Sequence, residues 1–450
     1  MLFDDKDVTV LDLTHGGIPL AQHIAKYARS VTAVDVYGTA DDDVLAGLEH
    51  FGINIIRGLD NNTEINTKRN TDLIVAPVHL DPAFIPSAGK HTIITHHRAV
   101  GELLSGFNTN ARIVEITGTG AKTSTATLLA DMTSRSLSVV SHTSRGVEHW
   151  VKGVPTKLHH GLSITPSSIL EALEHSIGIE ADLYIFEVSL GGTGVADVGI
   201  ITSLDNEYTI ANGNSTSTAA KLQMVEQARP GSTLLVNASA GLLNPPENVD
   251  VVTFSDSTDA NVYLERSHRG IWTIHLNGSG TVRFTPNAGY DAESYSTAIV
   301  CAIAAASILQ VEPAKIESAL MDFAGVHGRM RVMEWAGRRL VDNSNSGMNI
   351  RSVRQALDYS NGLASRHGRK VLILGEEAKQ VCEGLDPKDT GNFVNERGHE
   401  LDNIILVGER MESIQGGNIQ IADSLNSAIE MAESLTSEDD IIISCVKCFR

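Results

Sequence analysis

Cysteine is scarce in this chain, four in 450 residues. So few thiols suit a reducing compartment and not a disulfide-stapled secreted fold. Cys445 and Cys448 form one C-x-x-C, but no second pair or nearby histidine cluster completes a metal site, so the plain reading is a strand end. Basic residues are also in deficit. Against 55 Asp and Glu stand 35 Lys and Arg, a formal charge of -20, which leaves no basic face for nucleic acid. No apolar run is long enough to span a bilayer; the longest, AIVCAIAAASIL from Ala298, predicts a buried helix. The N-terminus, MLFDDKDVTVLDL, is acidic where a secretory leader is basic, so a cytoplasmic protein is expected. Internal repeats and low-complexity tracts are missing too.

What is present has the composition of a globular protein, 42% hydrophobic and 20% charged, at a length that suggests about three domains. Residues 1–108 open with VTVLDL, a strand, then THGGIPLAQHIAKYA, a glycine turn into a helix, then SVTAVDVYG, a strand closed by Asp35. Further strands follow at INIIRG, TDLIVAPV and TIITHH, which predicts a small doubly wound α/β domain. Only Gly16 and Gly17 stand in the first turn, so a dinucleotide fingerprint is weak. Residues 109–326 predict a larger α/β domain, with an antiparallel addition made from VDVVTFS, ANVYLER, IWTIHLNG and TVRFTP. Residues 327–450 alternate helices with the short apolar strands KVLILGE, NIILVGE and DIIISCV, the pattern of a parallel sheet with crossover helices.

Four stretches can carry chemistry. In EITGTGAKTSTATLL, Gly118, Thr119 and Gly120 let backbone N–H groups approach a polyphosphate, and the helix opening at Lys122 directs its positive end there. Lys122 can lie across β- and γ-phosphates and Thr123 can hold Mg²⁺. Ala121 stands where such loops carry glycine, and it can replace glycine if its backbone stays at negative φ. In FEVSLGG, Glu187 ends an apolar strand, either as an ordinary loop acid or as a metal-binding carboxylate. Lys221, near the start of a helix in STAAKLQMV, reads alone as a solvated surface lysine. In LVDNSNSGMN, Asp342 precedes Asn and Ser residues that either cap their own backbone or line a ribose. Arg329 and Arg331 just upstream can neutralise phosphate or carboxylate.

Taken in order, these motifs resemble those of the Mur ligase superfamily, ATP-dependent enzymes that activate a carboxylate, and the resemblance spans nearly the whole chain. It implies a three-domain α/β architecture: an N-terminal Rossmann-like substrate domain, a central P-loop ATPase domain and a C-terminal Rossmann-like domain. GTGAKTS, from Gly118 to Ser124, resembles the family's GT-N-G-K-[ST]-[ST] loop, with Gly120 and Ala121 in place of the Asn-Gly pair. Glu187 matches the family's Mg²⁺-binding glutamate, and Lys221 matches a lysine that many members carry as a carbamate supporting a second Mg²⁺. Tyr208 replaces a histidine of the D-H-L-D-x-H-G stretch, and Arg331 replaces the acid of the hinge motif. Asp342 is retained in the nucleotide motif, and Asn349 corresponds to its final Asn; with Arg329 these complete the implied ATP site.

The runs LDLTHGG and EVSLGGTGVADVGIIT resemble the methanogen branch that closes a carbocyclic ring on a nickel tetrapyrrole. That implies ATP and Mg²⁺ as cofactors, a nickel tetrapyrrole carboxylate as small-molecule substrate, and a monomer or homodimer. Such a reaction needs a general base for a carbon nucleophile. His15, beside Gly16 and Gly17 at a strand's carboxyl end, is the first candidate, ahead of His159 and His160, with His96 and His97 also in view. Two other readings share these motifs: an amide ligase joining an amino acid to a peptide or pseudomurein precursor, and a non-catalytic nucleotide-binding regulator.

Overall fold

The structure is a computed structural model that describes residues 1–58, 71–86, 91–107, 110–241, 243–257, 259–276, 278, 280–364, 368–377 and 384–448. The expected boundary at residue 108 lies outside the described residues. The chain divides into two compact units. One comprises Met1–Ser267, Trp272–Arg283 and Thr297–Ala319, the other His268–Ile271, Phe284–Ser296 and Leu320–Arg450.

The first unit holds two sheets. Its N-terminal sheet is built from β1 (Asp7–Leu11), β2 (Ser30–Asp35), β3 (Asn54–Arg57), β4 (Leu73–Ala76) and β5 (Thr92–Thr95), all parallel, in the order β3-β2-β1-β4-β5. Helices α1 (Ile18–Ile24), α2 (Asp42–His50) and α3 (His96–Ser105) connect or follow these strands. Val, Ile and Leu fill them because a parallel sheet is covered on both faces. The order reverses between β1 and β4, which leaves a crevice at their carboxyl ends, where doubly wound sheets bind ligands. The glycine turn expected to run straight into a helix is instead an irregular segment, Leu13–Gly17, before α1 begins. Its backbone leaves helical geometry at His15 and Gly16.

The central sheet has eleven strands in the order β18-β17-β16-β15-β14-β11-β6-β10-β7-β8-β9. They are β6 (Arg112–Thr117), β7 (Val139–Thr143), β8 (Gly146–Val151), β9 (Val154–His160), β10 (Leu183–Glu187), β11 (Val198–Ile201), β14 (Thr233–Asn237), β15 (Asp250–Ser255), β16 (Val262–Arg266), β17 (Trp272–Leu276) and β18 (Gly280–Phe284). A separate short ribbon pairs β12 (Thr209–Ile210) with β13 (Ser215–Thr216). The helices are α4 (Lys122–Ser134), α5 (Ser168–His175), α6 (Ser217–Glu226) and α7 (Ser296–Ile308). The expected antiparallel addition begins later than its sequence suggested: β15 and β16 continue parallel, and only at β16–β17 does direction reverse. A second antiparallel piece, β7-β8-β9, closes the opposite edge. Residues 298–306 of α7 are buried throughout, as its unbroken apolar run predicts. One apolar core runs from Val8, Leu20, Leu73 and Val100 of the first sheet and its helices into Val140, Ile169, Tyr184 and Phe186 of the central sheet and α5.

The second unit contains α8's last residues (Pro313–Asp322 overall) and a sheet in the order β19-β20-β24-β21-β22-β23. Its strands are β19 (Arg331–Trp335), β20 (Arg338–Asp342), β21 (Lys370–Glu376), β22 (Asn403–Val407), β23 (Ile419–Ala422) and β24 (Ile441–Lys447). All are parallel except the β19–β20 hairpin. Helices α9 (Ile350–Leu363), α10 (Pro387–Arg397) and α11 (Leu425–Leu435) connect them. Cys445 is buried within β24 and Cys448 directly follows it. Among the described residues no helix is long and apolar enough to cross a membrane.

Candidate active site

The phosphate-type loop leaves β6 at the middle of the central sheet, between β10 and β11, and enters α4. Gly118 is held at φ 143°, and a Cβ there would stand 2.0 Å from Thr202 Oγ1, so only glycine fits. Thr119 N donates to Ser203 O at 2.9 Å, and Thr202 Oγ1 donates to Gly120 O at 2.6 Å; both fasten the loop to the end of β11. Ala121 corrects the sequence reading. Its φ is +63°, the left-handed region, so the condition of negative φ is not met. An L-residue pays about 1–2 kcal/mol there, whereas Gly120 beside it has room for a side chain and no positive φ. Ala121 offers α4 no capping side chain, and a helix start directs its N–H groups and positive dipole end at an anion.

Three side chains gather at this helix start. Thr123 Oγ1 donates to Glu187 Oε2 at 2.9 Å, and Lys122 Nζ lies 4.0 Å from Glu187 Oε1 while donating to Gly118 O at 3.0 Å. Glu187, the last residue of β10, is buried, which disfavours the loop-acid reading. Ser144 N donates to the same carboxylate at 3.3 Å. A Thr hydroxyl beside a buried carboxylate is a hard-oxygen pair of the kind Mg²⁺ prefers. Ser124 is buried in the first turn of α4.

Lys221 is no surface lysine. It is buried on α6, donates from Nζ to Ser217 O at 3.1 Å, and lies over the Tyr208 ring, 5.2 Å from its centroid. Burial first, and then the charge of Lys122, pushes its pKa down to about 8. Tyr208, where the resemblance placed a histidine, thus supplies a cation–π face.

His15 stands in the crevice of the first sheet. Asp12, fully buried at the carboxyl end of β1, accepts from His15 Nδ1 at 2.7 Å and from His79 Nε2 at 3.3 Å. The backbone N–H groups of Thr14 and His15 add to these. Burial alone would raise the Asp12 pKa, but the hydrogen bonds and charge of the two histidines hold it well below the usual carboxylate range. His15, His79, His96 and His97 line one small cavity with Thr165, Pro166, Ser189 and Leu190 of the central domain. Gly16, at φ 97°, fits against that wall so closely that a Cβ would come within 2.2 Å of Ser167 Oγ.

His96 and His97 sit on backbone carbonyls through Nε2, Leu11 O at 3.0 Å and Ser189 O at 2.7 Å. Burial pushes their pKa values down to about 3 and about 4. His159 instead stacks on His175, with centroids 4.0 Å apart, and neither it nor His160 lines this cavity. Asp12 and His79 were missed in the sequence. Their signal was positional: each follows the end of one of the two strands that flank the switch point.

In the second unit, Asp342 ends β20 fully buried and accepts from Gly328 N at 2.8 Å and Ser344 N at 3.3 Å. Asn349 caps α9 in a capping box with Ser352. Arg329 is partly buried on the loop ahead of β19, its carbonyl accepting from the Tyr295 hydroxyl. The Asn-Ser run takes the turn-making role: Asn345 Nδ2 donates to Gly328 O at 2.7 Å, and Ser344 Oγ lies 2.7 Å from Ser444 Oγ.

Comparison with known proteins bears on the family and the fold. The family model described as "Coenzyme F430 synthetase CfbE, C-terminal domain" matches residues 332–448. The chain is 45% identical to the coenzyme F(430) synthetase of Methanosarcina acetivorans, over 99% of each chain. It is 23% identical to that of Methanocaldococcus jannaschii, over 89% of this chain and 93% of the other. Among solved structures, FolC of E. coli in complex with DHPP and ADP aligns at a TM-score of 0.58 with 17% identity, covering 79% and 90% of the two chains. The MurF ligase of Thermotoga maritima in complex with ADP aligns at 0.55 with 14% identity, covering 95% and 93%. These two share the three-domain α/β fold.

Proposed function

The chain belongs to the coenzyme F(430) synthetase family, within the Mur-type ATP-dependent ligases, and we propose on that basis that it closes the last carbocyclic ring of a nickel seco-tetrapyrrole. A substrate carboxylate is activated at the expense of ATP, and ADP and phosphate leave. The observation that carries the ligase reading is the meeting of Lys122, Thr123 and Glu187 at the start of α4. In this reading residues 1–108 bind the tetrapyrrole and 109–326 the nucleotide, and 327–450 carry Arg329, Asp342 and Asn349 as further nucleotide-binding residues. The protein works in the cytoplasm.

A carboxylate resists nucleophiles because oxide is a poor leaving group. Phosphorylation to an acyl phosphate removes that obstacle. The work of the chain is to align carboxylate and γ-phosphate and to offset the charge that spreads between them. The loop from Gly118 to Ser124 receives the polyphosphate, and the Lys122 ammonium lies against its terminal end. Thr123 and Glu187 fit one Mg²⁺, and Lys221, once carbamylated, a second. The metal supplies charge neutralisation and orientation of phosphate oxygens. The lowered pKa of Lys221 favours the neutral amine that carbamylation by CO₂ requires.

His15 then takes a proton from the carbon next to the ring. Asp12 holds Nδ1 as the N–H, so the lone pair is on Nε2. The new carbanion attacks the acyl phosphate, a C–C bond forms and phosphate departs.

The test is phosphate release from ATP and Mg²⁺ by the purified protein, with mass analysis. Release that requires the nickel seco-tetrapyrrole acid, with a product lighter by one water, supports ring closure. Release that requires an amino acid and a peptidyl acceptor moves the chain to amide ligation.

A further inference from the structure

The cavity in the first sheet holds more imidazole than one general base needs. Asp12 Oδ2 faces two rings at once, His15 through Nδ1 and His79 through Nε2, and the rings meet edge to face with centroids 4.8 Å apart. A carboxylate that holds one ring nitrogen fixes it as the N–H and puts the lone pair on the other. For His79 that other nitrogen is Nδ1. The side chain lines the cavity and is 27% exposed. His96 adds an independent sign of a ligand. Its Nε2 is taken by Leu11 O, while its Nδ1 is buried with no hydrogen-bond partner among the described residues. A ring held from behind by a buried carboxylate is the arrangement that orients a metal-binding histidine and strengthens it as a donor. Imidazole nitrogen is also a protein donor matched to nickel.

We propose that His79, held by Asp12, gives its Nδ1 lone pair to the nickel of the tetrapyrrole substrate as an axial ligand. The proposal rests on the tetrapyrrole reading above. One coordinate bond forms from nitrogen to nickel, the nickel keeps its oxidation state, no proton moves, and any axial water is released. The two rings on Asp12 then divide the work: His79 grips the metal and His15 meets the carbon to be deprotonated. His79 thereby sets specificity, because a macrocycle without nickel offers it nothing to hold.

The experiment is an absorption titration of the full chain with the nickel seco-tetrapyrrole acid, run beside ATP-dependent phosphate release. It compares wild type, His79→Gln and His79→Gly. Binding to wild type is expected to move the visible band of the nickel chromophore. Both variants should melt as wild type does, lose the band shift and bind the substrate at least about tenfold more weakly. Added imidazole should restore the shift to His79→Gly, which a merely structural role would not allow. The proposal is overturned if wild type turns the substrate over with its band unmoved, or if both variants keep the shift. It is also overturned if Ni²⁺ alone binds wild type and is lost equally in His15→Ala and His79→Gln. Asp12, His15 and His79 each place a ligand atom within 4.8 Å of the others and would then form a resident metal site. Phosphate release with an amino acid and none with the nickel substrate would remove the tetrapyrrole reading itself, and this proposal with it.

Discussion

Gln223 directs its amide nitrogen at His97 Nδ1 across 3.3 Å, and the same nitrogen donates to Leu190 O at 2.7 Å. Gln223 lies two residues beyond Lys221 on α6. One helix therefore carries both the buried Lys221 and the amide that fixes a ring of the histidine cavity. Thr95 Oγ1 donates to Gln223 Oε1 at 3.3 Å, so the amide is held at both ends.

Replacing Gln223 by Leu keeps the volume but leaves buried His97 Nδ1 without its donor. Loss of a buried partner costs about 1–3 kcal/mol. The variant is expected to raise KM for the carboxylate substrate roughly tenfold while nucleotide affinity changes little. Equal losses on both sides, measured by steady-state kinetics and by nucleotide titration, would show that the helix does not join the two sites in this way.

Lys122→Ala removes the ammonium next to Glu187 and the loop. Groups that stabilise developing charge are worth about 10²–10³ in rate. Phosphate release should fall by that factor, more in kcat than in KM. Near-native turnover would sink the mechanism.

Ala121→Gly relieves the left-handed alanine but makes the unfolded chain more flexible, which takes back about 0.4–1 kcal/mol. The net expectation is a small gain, with the melting midpoint of the first unit rising by about a degree. A lower midpoint by scanning calorimetry would mean that the alanine methyl makes a contact worth more than the strain.

Three buried histidines set the acid limit of stability. His96, His97 and His142 have pKa values lowered by burial to about 3, 4 and 4, below their ordinary value of 6.5. Between these values the unfolded chain binds more protons, so stability falls as pH drops from 6.5 towards 4, by up to about 4 kcal/mol per pH unit if all three titrate together. Lys221 has the same sign at the alkaline end, where its lowered pKa of about 8 makes stability rise between pH 8 and its unfolded value of 10.5. Melting curves from pH 7 to 5 check the first part; a flat profile there contradicts it.

If Lys221 works as a carbamate, activity at limiting bicarbonate should rise as pH passes through about 8, as the amine loses its proton. Lys221→Arg should stay inactive at every bicarbonate concentration, while Lys221→Ala should recover partly with added short carboxylic acids. Full activity of Lys221→Arg would remove the carbamate from the reading.

Much of this was legible because strands and loops are local. The apolar runs at VTVLDL and KVLILGE have the length and flanking turns of buried parallel strands, and the structure has strands there. Gly118 and Lys122 were legible as parts of a strand-to-helix loop because such a loop is a contiguous stretch. The burial of Lys221 was not, since its neighbours Tyr208 and Ser217 reach it only through the fold. Asp12 and His79 are 67 residues apart and meet only because β1 and β4 are neighbours. The β7-β8-β9 edge escaped notice because its last strand, VPTKLHH, is polar and largely exposed, without an apolar run to mark it. The sign of φ at Ala121 is a property of the closed loop, and composition carries no trace of it.

The tight seat of Gly16 against Thr165 and Ser167 bears on how this enzyme can evolve. A domain joined by a linker can be exchanged like a cartridge. The first sheet instead shares a continuous core with its neighbour and meets it at a glycine that admits no side chain. A lineage changing its acceptor must therefore alter both partners of that seam together, and a chimera that grafts the first sheet alone inherits half of a lock.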